Sequence, residues 1–260
     1  MKTRVLLFIG FVVFLLILTV YLLRKSLFGR NAMVIVEPRD HKFLETTIKN
    51  FDRIMDSSWD LYVFHAASSQ DYAKEAVRSI TKRNVFLKPL ETDNLNAEEY
   101  NTLFKKAEFW SQVNAENILV FQTDAALCGK SSFRINDFTK YDYIGCAINN
   151  KTVGRESPID YWGPHNFYGV GGLSFRKKSF MMKCIADNQG VPDGFAEDVF
   201  FSNCLEASPR KPKDAMVINE FCTQNNFNVK SFGIHKTSVM NSMHKQALHE
   251  YCPEARDIDQ

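Results

Sequence analysis

The sequence predicts an α/β fold built on a doubly wound, mostly parallel sheet, and three observations predict it. Apolar runs rich in β-branched and aromatic residues (Met33 to Val36, Trp59 to His65, Val85 to Leu87, Ile118 to Phe121) alternate with segments of helical periodicity, the pattern of a parallel sheet covered by helices. The run from Ile118 to Asp124 passes from apolar residues straight into a carboxylate, as a buried strand does when it ends at the crevice where open α/β sheets bind ligands. Finally, 260 residues with 45% hydrophobic and 24% charged content are enough for one large domain with a substantial core and exclude a disordered chain. A lone strand-end aspartate equally well caps the next turn, so Asp124 gains meaning only from the rest of the chain.

Val5 to Leu23 is an uncharged apolar segment, close to the ~20 residues that a helix needs to cross a bilayer. The competing reading is a cleaved signal peptide, whose apolar region is usually about 7–15 residues, and no small-x-small cleavage site follows Leu23. Lys2 and Arg4 precede the segment while Arg24, Lys25 and Arg30 follow it, so charge bias does not orient it. The layout (1–4 a short tail, 5–23 an anchor, 24–31 a basic stem, 32–240 the domain, 241–260 a tail) is that of a type II membrane protein, with the domain in the lumen of the Golgi or endoplasmic reticulum. A formal net charge of +2 with scattered Lys and Arg speaks against a nucleic-acid partner.

In order along the chain, the first strand stops at Glu37-Pro38-Arg39, because proline cannot continue a ladder. His41 to Met55 carries Phe43, Leu44, Ile48, Phe51 and Ile54 at helical spacing. Asp71 to Ile80 reads as a helix capped by Asp71, and Asn96 with Glu99 opens a capping-box helix through Lys106. Beyond Asp124, Tyr141 to Cys146 reads as a strand, followed by a polar and aromatic loop from Asn149 to Tyr168 that holds Tyr161, Trp162, His165 and Asn166. Loops that long are usually functional or disordered, and these residues suit covering a ligand. The glycines of Gly169 to Gly172 permit close approach of a ligand or of another strand. Glu197 and Asp198 stand just ahead of a helix running toward Ser208, where the dipole favours acids and only one of two neighbours can comfortably cap. Ser231 to Lys236 places an imidazole beside an ammonium, which taken alone reads as a surface turn, and the tail from His249 to Gln260 reads as frayed. The six cysteines contain no CxxC, which speaks against structural zinc. In a lumenal domain some would pair, and in a cytosolic one they would be small buried hydrophobes. Asn150-Lys151-Thr152 is a glycosylation acceptor if the domain is lumenal.

Taken together, Val34 to Arg39, Phe121 to Asp124, Tyr141 to Gly145, Val170 to Arg176, Glu197 to Ser202 and Gly233 to Lys236 resemble one family. It is an uncharacterised domain family, also found in large viruses and microbial eukaryotes, that is similar to nucleotide-diphospho-sugar transferases of the Rossmann-like GT-A fold. The resemblance covers about Met33 to Lys236. It implies a glycosyltransferase that moves a sugar from a nucleotide-diphosphate donor to a hydroxyl of a glycan, protein or lipid acceptor, with manganese or magnesium against the diphosphate. Asp124 matches the last acid of the metal motif and His235 the late histidine of the metal shell. Gln122 stands where the first acid usually does, a departure that removes one charged ligand. Glu197-Asp198-Val199 is similar to the segment of inverting β-1,3-glycosyltransferases whose acid takes the acceptor proton, which implies Asp198 as base and Glu197 as second choice. The resemblance further assigns Glu37, Arg39, Gln122, Thr123, Gly171, Gly172 and Lys236 to the donor, and Trp162 and His165 to the acceptor. Two rival functions remain: a domain that binds sugar-nucleotides without turnover, motivated by Gln122, and a metal-dependent phosphohydrolase, which lacks the clustered His and Asp ligands that two-metal hydrolases need.

Overall fold

The fold was read from a computed structural model, which describes residues 31–148, 168–190, 194–225, 227 and 229–258. The anchor, the stem up to Arg30, the Asn150 acceptor pattern, Trp162 and His165 lie outside the described residues, while Asn31, counted with the stem, opens the first strand. Among the described residues, no helix is long and apolar enough to cross a membrane.

Strand β1 (Asn31–Val36) lies at the centre of a six-stranded sheet. It pairs in parallel with β2 (Trp59–Ala66) and β4 (Asn117–Phe121), and β2 pairs in parallel with β3 (Val85–Leu90). Beyond β4 the direction reverses: β7 (Val170–Lys177) runs antiparallel to both β4 and β6 (Tyr143–Cys146), giving the order β3-β2-β1-β4-β7-β6. The sheet is therefore mostly parallel, as the alternation of strand and helix patterns predicts, with an antiparallel edge.

Strand period explains how this sheet is covered on both faces. Met33, Ile35, Leu61, Val63, Leu119 and Phe121 face one core, which they share with Leu44, Ile48 and Phe51 of α1 (Leu44–Ile54). Ala32, Val34, Tyr62, Phe64, Ile118 and Val120 face the other, packed by Phe104 of α3 (Ala97–Phe104), Phe109 and Trp110 of α4 (Ala107–Ser111), Met181 of α5 (Lys178–Asp187) and Phe201 of α6 (Glu197–Leu205). Each large apolar side chain so buried contributes about 1.5–3 kcal/mol relative to exposure.

Helix starts follow their capping chemistry. Asn96 accepts from the Glu99 amide at 3.0 Å while the Asn96 amide donates to Glu99 at 2.8 Å, so the expected capping box forms, although the helix ends at Phe104 and not at Lys106. Helix α2 (Gln70–Val77) starts one residue earlier than expected, with Ser69 at the cap position. Asp71 does not cap it: the carboxylate lies in the first turn and pairs with Lys74 at 2.9 Å.

The C-terminal part departs from expectation. A second, three-stranded sheet joins β5 (Ala125–Leu127), β9 (Gly233–His235) and the two-residue β8 (Cys222–Thr223), which follows α7 (Ala215–Phe221). His235 is 6% exposed and closes the buried strand Gly233–His235, so the imidazole does not lie on a surface turn; Lys236 just after it is exposed. His249 to Ile258 is packed and not frayed: α8 (Ser242–Tyr251) and the turn after it place Leu248, Cys252, Ala255 and Ile258 in a third core with Ala126 and Ile234. The six cysteines are all paired, Cys128 with Cys252, Cys146 with Cys222 and Cys184 with Cys204. The first of these bonds fastens the C-terminal helix to the chain that leaves β5.

Candidate functional site

At the carboxyl ends of β1 and β4, closed by β7, β9 and the start of α6, lies an open cleft of about 540 Å³, a size suited to a small-molecule ligand. It brings together Glu37, Arg39, Gln122, Thr123, Asp124, Gly171, Gly172, Glu197, Asp198, His235 and Lys236. These are all the residues that the sequence singles out within the described part of the chain.

Its floor comes from the turn that follows β4. The Gln122 amide donates to the Gly172 carbonyl at 2.9 Å and the Thr123 carbonyl accepts from Thr47 Oγ1 at 3.0 Å. Next, β5 pairs antiparallel with β9, placing Ala125 opposite His235. The Lys236 amide then donates to the Asp124 carbonyl at 2.8 Å. Lys236 adopts a left-handed conformation with φ 52°, an unfavourable setting for a residue with a Cβ, and its side chain stays exposed at the rim.

His235 faces more oxygens than one imidazole N–H can serve. Nδ1 is 2.9 Å from Gln224 Oε1, while Nε2 is 3.2 Å from Gln122 Oε1 and 3.2 Å from Asp124 Oδ1. A neutral ring carries a single N–H, which serves Gln224 from Nδ1 or the Gln122 and Asp124 oxygens from Nε2, but not both sides at once. Asp124 Oδ1 is buried and has no aligned hydrogen-bond partner among the described residues. Burial works to raise the Asp124 carboxyl, but His235 and, more weakly, Lys236 outweigh it and hold it below the ordinary carboxylate value. An orphaned carboxylate oxygen, an imidazole nitrogen and an amide oxygen converging at these separations fit a divalent cation, since neighbouring donors in an octahedral shell of about 2.1 Å radius stand about 3.0 Å apart. Among the described residues, no group of three or more His, Cys, Asp and Glu could hold a metal ion, so the candidate set is one carboxylate, one imidazole and one side-chain amide.

Across the cleft, Asp198 Oδ2 accepts from the Gly171 amide at 3.1 Å and Oδ1 from the Val199 amide at 2.8 Å. Burial, then the neighbouring Glu197 charge, pushes the Asp198 carboxyl up to about 6, against the opposing pull of those two amides and of Arg176. Glu197 is occupied differently. Both of its oxygens are held by Arg176, at 2.6 and 2.9 Å. The glycine pair serves close packing: a Cβ on Gly172 would stand 2.1 Å from His235 Nε2, and one on Gly171 1.9 Å from Glu197 Oε1.

At the β1 end, the Glu37 carboxylate accepts from Arg39 Nε at 2.8 Å and Nη2 at 2.9 Å, so the chain curls about its own ion pair beside the opening. Several lining residues are ones that the sequence did not single out. Tyr100 and Asn101 of α3 form one wall, with the Tyr100 hydroxyl buried and lacking a partner of good geometry among the described residues. His41, lowered chiefly by burial, stands near Asp124. Gln224 orients His235. Arg176 carried a signal, a charge within β7 next to Phe175, which demands a partner if the strand is buried.

Residues 84–235 match a sequence family described as "Protein of unknown function (DUF5672)". No curated protein matches the chain. Among solved structures, the galactosyltransferase LgtC in complex with donor and acceptor sugar analogues is similar at 9% identity and a TM-score of 0.51, covering 85% of this chain and 96% of that one. An active-site mutant of LgtC, Q189E, is similar at 12% identity and a TM-score of 0.50, covering 78% and 86%. S. aureus TarS 1-349 is similar at 13% identity, with a TM-score of 0.47, covering 70% of this chain and 56% of that one. The LgtC likeness agrees with the GT-A fold that the sequence motifs imply.

Proposed function

The chain belongs to the DUF5672 family of proteins of unknown function, and from the site that its fold builds we propose a metal-assisted, inverting glycosyltransferase that moves a sugar from a nucleotide-diphosphate donor to an acceptor hydroxyl. The observation that carries this reading is the pairing, in one cleft, of a cation-fitting end at Asp124, His235 and Gln122 with the buried carboxylate of raised pKa at Asp198. Leaving-group stabilisation and acceptor deprotonation are the two demands of sugar transfer, and they fall to opposite walls.

Asp124, His235 and the Gln122 amide oxygen would hold manganese or magnesium, which when bound supplies positive charge to the diphosphate. Lys236, exposed on the same rim, adds a point charge for a phosphate oxygen. The Glu37–Arg39 segment and Thr123 flank the nucleotide. Asp198 Oδ accepts the proton of the attacking acceptor hydroxyl, and a value near 6 leaves it ionised yet basic at neutral pH. As the acceptor oxygen bonds to the anomeric carbon, the bond from that carbon to the diphosphate breaks and the nucleoside diphosphate departs with the electron pair. Trp162 and His165 remain assigned to the acceptor on the resemblance alone. The acceptor is a glycan, a protein or a lipid.

The complete pairing of six cysteines supports an oxidising compartment. It thereby favours a lumenal domain carried by a type II anchor at residues 5–23, in the Golgi or endoplasmic reticulum.

The test is thermal denaturation with a panel of uridine and guanosine sugar-nucleotides, with manganese and with chelator, followed by transfer assays on the stabilising donor. Stabilisation that vanishes with chelator supports the reading, since a ligand of the folded state raises the melting temperature by mass action. No shift with any nucleotide, with or without metal, would leave it without support.

A further inference from the structure

Arg176 occupies an unusual place for a charge. Its guanidinium belongs to β7, is 0% exposed and is enclosed by the rings of Phe104, Tyr143, Phe201 and Trp110, whose centroids lie 5.2, 5.3, 5.6 and 5.8 Å away. Nε donates to Ser174 Oγ at 2.9 Å, and Nη1 and Nη2 donate to the two Glu197 oxygens. Nη2 also reaches the Gly171 carbonyl at 3.4 Å. The amide of that same Gly171 donates to Asp198 Oδ2, and Ser174 Oγ donates to the Gly171 carbonyl at 2.9 Å. One guanidinium therefore grips the residue that precedes Asp198 and the peptide that faces it.

Stability alone does not account for this arrangement. Removing two charges from water costs several kcal/mol per ion, and apolar side chains of similar volume commonly replace such a pair with no loss of stability or with a gain. The aromatic enclosure around Arg176 would accept such a replacement. What an apolar pair could not supply is a fixed, doubly hydrogen-bonded carboxylate beside Asp198 and a fixed Gly171 peptide in front of it.

We propose that Arg176 is a positioning residue for Asp198, acting through Glu197 and Gly171, with Glu197 serving as its counter-charge and not as an alternative base. The proposal rests on the reading of Asp198 as the base. Around Asp198 stand Glu197 on α6, Arg176 on β7, Tyr143 on β6 and Tyr100 on α3, with Asp124, His235 and Lys236 across the cleft. Of these, Glu197 is the anion adjacent to Asp198 in the chain.

The experiment is a carbon-13 NMR titration of the full chain in detergent, with labelled aspartate carboxyls and Asp198 assigned by its loss in Asp198→Asn. Glu197→Gln keeps one acceptor oxygen for Arg176, gives up the second hydrogen bond and removes the negative charge. It should fold and move the Asp198 midpoint down by about one unit or more, and the acid limb of the rate profile should move with it. The double variant Arg176→Met with Glu197→Met removes the pair and its desolvation cost together. It should keep its melting temperature while kcat falls about 10²-fold, as expected for a misplaced catalytic group, with little change in donor KM. An unmoved midpoint in Glu197→Gln, or full kcat in a folded double variant, overturns the proposal. If the double variant does not fold, the Glu197→Gln titration decides by itself. A shifted midpoint in a chain that transfers no sugar from any nucleotide donor would sink the glycosyltransferase reading and leave the positioning of Asp198 standing.

Discussion

Asp124 and Lys236 are joined through the backbone: the Lys236 amide donates to the Asp124 carbonyl at 2.8 Å, which closes the β5–β9 ladder at the rim of the cleft. That single bond brings a carboxylate, an imidazole and an ammonium from distant parts of the chain to one edge.

Asp124→Ala and His235→Ala should each remove chelator-sensitive stabilisation by sugar-nucleotides. A ligand at a hundredfold excess over Kd contributes about 2.7 kcal/mol, and that contribution should vanish while the unliganded melting temperature stays within a few degrees. Calorimetric titration with manganese should show affinity at least tenfold weaker, in line with the loss of ~10–100-fold seen even for residues that merely support a ligand. Unchanged manganese affinity in both variants would remove the cation from this end of the cleft.

Asp198→Asn should lower kcat by about 10² to 10⁴ with the fold intact. In the wild type, activity should fall on the acid side with a midpoint near 6, where the carboxyl protonates. Stability moves oppositely. Because the folded value is raised, the contribution of this carboxyl is fully present below its unfolded value and is lost as pH rises through about 6. Asp198→Asn should therefore gain about 1–3 kcal/mol over the wild type between pH 5 and pH 8, read by urea denaturation at both pH values. A constant difference across that range contradicts a raised carboxyl.

Gly172→Ala places a methyl 2.1 Å from His235 Nε2 and Gly171→Ala places one 1.9 Å from Glu197 Oε1. Both surroundings are buried, so each variant should lose about 1–3 kcal/mol, the usual range for overpacking. Their functional effects should differ. Gly172→Ala displaces the imidazole and should abolish metal-dependent donor binding, whereas Gly171→Ala disturbs the Asp198 wall and should spare it. Donor-induced melting shifts separate the two.

Cys128→Ser with Cys252→Ser opens a bond between residues 124 apart in sequence. The expected loss is about 2–5 kcal/mol, concentrated in the C-terminal helix, with limited proteolysis cutting first between Ser242 and Tyr251. Equal protease resistance with and without the bond would argue that the third core holds this helix unaided.

Legibility in the sequence followed the range of the interactions. The β1, β2 and β4 strands were readable because both faces are buried and their runs are continuously apolar, and the Asn96–Glu99 box was readable because its partners are three residues apart. The cleft acids were readable as strand-end and helix-start carboxylates. What stayed hidden depends on contacts far apart in the chain. Nothing local distinguishes Glu197, locked on Arg176, from Asp198, facing the cleft; only the fold separates them. Strands β8 and β9 are too short to show a period, so His235 looked like part of a turn. In the last twelve residues, polar composition masked Cys252, Ala255 and Ile258, three small or apolar side chains spaced to pack one face.

The placement of Asn31 has a bearing on what the enzyme proposed here can reach. Asn31 pairs with Trp59 and Asn117 at the end of the sheet opposite the cleft, and β1 runs from there for 6 residues, about 20 Å, before it arrives at Glu37. An anchor ending at Leu23 would join the domain at its base through residues 24–30, with the opening at the far end, like a cup on a stem. Acceptors borne on long or mobile carriers would meet that opening readily, and groups lying flat in the same bilayer would not.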